Sequence, residues 1–170
     1  MSMILVLAAL PDEELERTIA DPVRVFDLIE ASDAEAVDSD DFADLDKAWH
    51  GIHYLLTGTA WEGDAPHNTL LAGGTEVPDP DAEWGYGPPR CVFAAPTGAF
   101  ARAVEAITDD ELAARFDPAD MMAKEIYPNI WDRDPDEDPT LAYLMEYVAV
   151  LRRFLAAAAA QNRGFIIALT

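Results

Sequence analysis

Two of the chain's three histidines, His50 and His53, sit three residues apart in DKAWHGIHYLLTG, positions 46–58. Imidazole titrates near neutrality, so either ring could act as a general base, with a carboxylate such as Asp46 to orient it. On a helix the pair could also approach one metal ion, with His67 or a carboxylate completing a catalytic zinc site. The rest of the chain argues against both. HExxH is absent, and the single cysteine, Cys91, excludes a cysteine-based zinc site and an internal disulfide. There is no GxSxG, and Cys91 lies in the apolar run CVFAA rather than at a helix start. The expectation is one histidine in the core and the other at the surface, with no metal and no cofactor.

Binding chemistry is better represented than catalytic chemistry. Trp49, Ile52, His53 and Leu56 would share one face of a helix, with His50 and Tyr54 on a neighbouring stripe. In GYGPPR, positions 85–90, Tyr86 and Arg90 could line a pocket, the arginine fork taking a carboxylate or phosphate. The plainer reading is a held loop whose Arg90 pairs with one of many acids. In EIYPNIW, positions 125–131, Tyr127 and Trp131 read as aromatics packed over a core edge; exposed, they would mark an interface. The candidate binding residues are therefore Trp49, His50, His53, Tyr86, Arg90, Tyr127 and Trp131. Gly73-Gly74 is no phosphate loop, and the acids at 132–138 lack the glycine and closing glutamate of a calcium loop.

These segments need a frame. Positions 3–10 read as a buried strand stopped by Pro11, and Pro11-Asp-Glu-Glu starts a helix. A second helix follows Asp21-Pro22, and positions 33–44 read as a solvated loop or frayed helix end. Asp44 or Asp46 should cap the histidine helix, which Gly58 closes. Positions 69–72 read as a short strand, 77–89 as a proline-rich excursion, and 90–95 as another strand. Helices follow at 96–107, after Thr108 with its capping box, and after Asp117-Pro118, where Pro128 should stop the chain's helical run at Tyr127. Asp138-Pro139 should cap the longest helix, whose stripe Leu141, Leu144, Met145, Val148, Leu151 and Leu155 is a core face. Gly164 ends it, and 165–169 is a final strand. The fold expected is α+β: one domain over 1–170, a small central sheet including both terminal strands, covered by several helices.

Charge limits the partners. The chain has 33 acidic and 11 basic side chains in 170 residues, a formal net charge of -22. Such a surface resists nucleic acid and anionic lipid and leaves a basic protein or a small molecule as partner. The acids are concentrated early, while positions 141–170 hold only Glu146 against Arg152, Arg153 and Arg163. That last segment should lie against the acidic remainder. The opening apolar run is too short to span a bilayer and lacks a basic leader, so the cytoplasm is the expected compartment.

Several blocks together resemble the YfbM-like family of bacterial proteins. They are the opening strand, PDEELERTIADP at 11–22, LDKAWHGIHYLLTG at 45–58, GYGPPR at 85–90, RFDPADMMAKEIYPNIW at 115–131, and the last helix and strand. The resemblance implies an α+β fold with a central sheet and many helices, and no agreed activity, cofactor or substrate. Two functions compete, beside a plainer third reading as a housekeeping domain of salt-adapted or GC-rich origin whose charge serves only solubility. One is a non-catalytic binding domain whose acidic surface engages a basic partner, an immunity-type inhibitor of a cationic toxin being one form. The other is a small-molecule binder or hydrolase-like enzyme built on a His50, His53 and Arg90 cleft.

Overall fold

The apolar runs at the two ends of the chain pair with each other. Strands β1 (Leu5–Leu10) and β5 (Gly164–Leu169) form an antiparallel ladder from Leu5 opposite Leu169 to Leu10 opposite Gly164. The computed structural model describes residues 2–35, 39–78 and 86–170. Strand β2 (Phe42–Asp44) extends the sheet beyond β1, β4 (Arg90–Val92) flanks β5, and β3 (Thr75–Glu76) closes the far edge. The order is β2-β1-β5-β4-β3, with every pairing antiparallel. This is the α+β fold the pattern predicts.

Alternation along the strands separates two apolar layers. Leu5, Leu7, Phe165 and Ile167 join the larger core. Helices α3 (Trp49–Thr57), α5 (Ala94–Glu105) and α8 (Thr140–Ala160) pack on that side. Cys91 and Ile166 face the other way, onto Leu15 of α1 (Asp12–Ala20) and Val25 of α2 (Arg24–Glu35). A sheet covered on both faces needs apolar side chains at successive positions, so β5 reads FIIAL without polar alternation. The remaining helices are short: α4 (Thr69–Ala72), α6 (Asp109–Arg115) and α7 (Pro118–Ala123). Among the described residues, no helix is long and apolar enough to cross a membrane.

Local signals decide several boundaries. Thr108 and Glu111 form the expected capping box, and Asp117 accepts from the Asp120 N–H at the start of α7. Tertiary contacts decide others. Residues 42–44 form an edge strand rather than a loop, because β1 offers them a ladder. Residues 69–72 form a helical turn rather than a strand. Asp44 and Asp46 do not cap α3: Asp44 Oδ1 accepts from the Asp46 N–H at 2.6 Å, and Asp46 accepts from the Tyr143 hydroxyl at 2.9 Å. Asp138 does not cap α8 but pairs with Arg133 at 2.5 Å. Helix α7 stops at Ala123, before Pro128, where Glu125 takes a left-handed φ of 52°. The proline-rich excursion is described only at 77–78 and 86–89, and 36–38 and 79–85 lie outside the described residues.

The C-terminal arginines reach the acidic remainder: Arg163 pairs with Asp41 at 2.9 Å, and Arg152 with Asp109. Both acids are largely exposed, so each pair contributes at most about 1 kcal/mol.

Gly164 belongs to β5, and α8 ends at Ala160. A Cβ on Gly164 would stand 2.1 Å from the Val92 carbonyl oxygen and 2.6 Å from Leu15 Cδ1. Backbone cannot yield as a side chain does. Gly164→Ala should therefore lower unfolding free energy by about 3 kcal/mol or more in urea titration. A variant as stable as the parent would contradict this close approach of β4 and β5.

Candidate functional site: an aromatic cleft over a buried histidine pair

Helix α3 carries WHGIHYLL with little polar relief, and all of Trp49–Leu56 is buried. A helix apolar all round belongs inside, and here α4, α6 and α8 surround it. Gly58 ends it in a left-handed turn at φ 75°, its N–H donating to the Tyr54 carbonyl at 2.7 Å. Gly51 permits the closest approach on this helix. A Cβ there would meet Leu144 at 2.6 Å and the Trp131 ring at 2.8 Å.

Both histidines are fully buried, against the expectation of one in the core and one at the surface. His50 Nε2 lies 2.7 Å from the Ala60 carbonyl oxygen, and the Tyr127 N–H donates to Nδ1 at 2.9 Å. A carbonyl only accepts and an amide N–H only donates, so His50 is the neutral Nε2–H tautomer. His53 Nε2 donates to the Glu62 carbonyl at 3.0 Å. Its Nδ1 is buried without a partner among the described residues. Burial pushes both pKa values below 6.5, that of His53 to about 4, where desolvation outweighs the Glu62 carbonyl and His50 adds to the depression. Both rings thus pin the loop after Gly58 to α3. Among the described residues, no three His, Cys, Asp or Glu side chains converge as metal ligands would.

Beside this pair lies a cleft of about 330 Å³ between α3, α4 and the sheet. Leu5, Ile167 and Leu70 give it an apolar base, and Trp49, Trp61 and Tyr86 give it aromatic walls. Its charged groups among the described residues are Glu76 and Arg90, cross-strand neighbours on β3 and β4. Trp61 is 62% exposed, an unusual state for so large an apolar ring. It leans on His50 with ring centroids 4.3 Å apart, while Trp49 stacks on the same imidazole at 5.0 Å.

Arg90 lines the cleft, yet its fork grips main chain. Nη1 donates to the carbonyls of Thr69 at 3.3 Å and Gly73 at 2.5 Å, and Nη2 to that of Leu70 at 2.5 Å. It therefore closes the C-terminal end of α4, where carbonyls lack helical partners and a cation suits the dipole. This contact explains why residues 69–72 are helical and how Leu70 reaches the cleft.

The candidates read from sequence thus separate into two groups. Trp49, Tyr86 and Arg90 meet at the cleft. Tyr127 stands behind it, 5.6 Å from Trp49, and its hydroxyl accepts the Met3 N–H at 2.9 Å. His50 and His53 lie beneath, and Trp131 sits in the core, its Nε1 donating to the Ile126 carbonyl at 2.7 Å. Sequence reasoning missed Trp61 and Glu76. A tryptophan in the short polar loop TGTAWEGD, with no apolar neighbours in sequence to bury it, was the available signal for Trp61.

The family model described as Domain of unknown function (DUF1877) matches residues 1–168, and the chain belongs to that family. The fold is similar to the crystal structure of a protein of unknown function, YfbM, from Escherichia coli. The TM-score is 0.73 at 18% identity, covering 98% of this chain and 99% of that one. At that identity the likeness shows the fold alone. No curated protein matches the chain.

The histidines make stability depend on pH. The fold holds both rings neutral, so below about pH 6.5 the unfolded chain binds more protons than the folded one. Their contribution is complete above that pH and drains away as pH falls toward the folded value, about 4 for His53. Between pH 7 and 5 the urea midpoint should fall, with His53 alone accounting for roughly 2 kcal/mol. His53→Gln should flatten that fall; an unchanged pH profile would contradict a buried neutral ring.

Proposed function

We propose that this member of the DUF1877 family is a non-catalytic binding domain, its acidic exterior drawing a basic protein partner and its aromatic cleft supplying the contact. The observation that carries the reading is Trp61, exposed at 62% beside Trp49 and Tyr86 while the imidazoles beneath it are engaged with main chain. Both histidines are buried in their neutral form, so neither ring is placed to act as a base in the cleft. An exposed tryptophan in a concave setting favours contact with a partner.

The net charge of -22 supports the choice of partner. It speeds encounter with a basic surface and opposes nucleic acid and anionic membrane. An inhibitor of a cationic toxin is one form such a domain would take. A reducing cytoplasm suits the lone Cys91, whose thiol burial pushes up to about 11.

The test is binding of immobilised protein to arginine- and lysine-rich peptides, beside a turnover panel of esters, phosphates and glycosides. Affinity should fall at least about tenfold between about 0.05 M and 0.5 M salt. Trp61→Ala should weaken binding by about tenfold while the chain stays folded, with the melting temperature measured beside it because Trp61 also leans on His50. Peptide binding indifferent to Trp61, or turnover abolished by His53→Gln in a folded variant, would overturn the proposal.

A further inference from the structure

We infer that the cleft is a recognition site for an organic cation, an ammonium or guanidinium head held against Trp61 and Tyr86 above the buried Trp49 and paired with Glu76. The inference deepens the binding-domain reading and rests on it. A ring face is negative, so aromatic walls attract a cation, most strongly one without a tight hydration shell. Trp61 and Tyr86 offer ring surface to a cleft of about 330 Å³, room for one head group and a short apolar stem, while Trp49, stacked on His50, is buried at its base.

The two charged groups in the cleft are not equivalent. Arg90 aims Nη1 and Nη2 at the carbonyls of Thr69, Leu70 and Gly73, so much of its donor capacity is turned toward the end of α4 and away from any incoming anion. The partial negative charge of that helix end offsets its positive charge. Glu76 stands opposite it on β3 with an exposed side chain, interacts electrostatically with Arg90, and is the one carboxylate among the described residues that lines the cleft. The far field has the same sign: a net charge of -22 repels an anion from the cleft mouth and concentrates cations there. A neutral ligand of the same shape would desolvate Glu76 without replacing the lost water.

The head could belong to a free small molecule or to a lysine or arginine side chain of the basic partner. The experiment follows the Trp49 and Trp61 indole N–H resonances during titration with benzyltrimethylammonium, with neutral benzyl alcohol and with anionic phenylacetate. The cation should shift both indoles and bind at least about tenfold more tightly than either comparison compound. Glu76→Gln should weaken the cation several-fold and leave benzyl alcohol unchanged; Trp61→Ala should weaken both, with melting temperatures as controls. Phenylacetate binding as tightly as the cation, an effect of Glu76→Gln on neither ligand, or no indole shift with any probe would overturn the inference. Competition between benzyltrimethylammonium and a bound basic peptide supports it with a partner side chain as the source. Cation binding without such competition supports it with a free small molecule. If the cation panel fails while peptide binding still depends on salt and on Trp61, only this inference falls. If peptide binding also fails, the binding-domain reading falls with it.

Discussion

The arrangement of the cleft depends on one ring. His50 accepts from the Tyr127 N–H and lies within hydrogen-bonding distance of the Ala60 carbonyl, so a single imidazole joins α3 to two loops far apart in sequence. Both bonds are shielded from water, where losing either partner leaves a buried polar group unsatisfied, a penalty of about 1–3 kcal/mol. Trp49 and Trp61 close over its two sides. The ring that first suggests catalysis is therefore a structural bracket. Its protonation would add a charge where no carboxylate is shown to receive it.

The bracket works because the sheet behind it is rigid. The paired chain ends place Leu5 opposite Leu169 and Leu7 opposite Ile167, and β4 carries Arg90 to the end of α4. Met3 continues the same line: its N–H donates to the Tyr127 hydroxyl, and its carbonyl accepts from the Trp49 indole at 3.1 Å. Tyr127, Trp49 and Met3, just before β1, thus fix one another. Gly51 lets Trp131 and Leu144 press against α3 from the opposite side, so the helix has no room to slide. The cleft is accordingly walled by well-anchored groups, with Trp61 as its one exposed aromatic wall.

Much of this was legible in the residues. The apolar runs at 3–10 and 165–169 announced two buried strands, and Thr108-Asp-Asp-Glu announced its helix through local chemistry alone. The misread segments are those whose structure is decided at a distance. TLLA at 69–72 has no helical signature; its turn is completed by Arg90, some twenty residues on. FAD at 42–44 is too short to show a period and becomes a strand only because β1 lies alongside. Asp46 has a good capping side chain but is engaged by Tyr143 of α8. The same division runs through the site. Trp49, Tyr86 and Arg90 could be singled out by type, but their convergence depends on sheet order, which composition does not encode. Trp61 and Glu76 gave almost no local sign.

The account stands on His50 being a neutral, doubly bonded ring. Long-range proton–nitrogen correlation spectra of the imidazole read this directly. The account predicts a single Nε2–H tautomer at pH 7 that takes up its proton only below the ordinary histidine pKa of about 6.5. A His50 ring that exchanges between tautomers, or that takes up its proton near pH 6.5 while the chain remains folded, would contradict it.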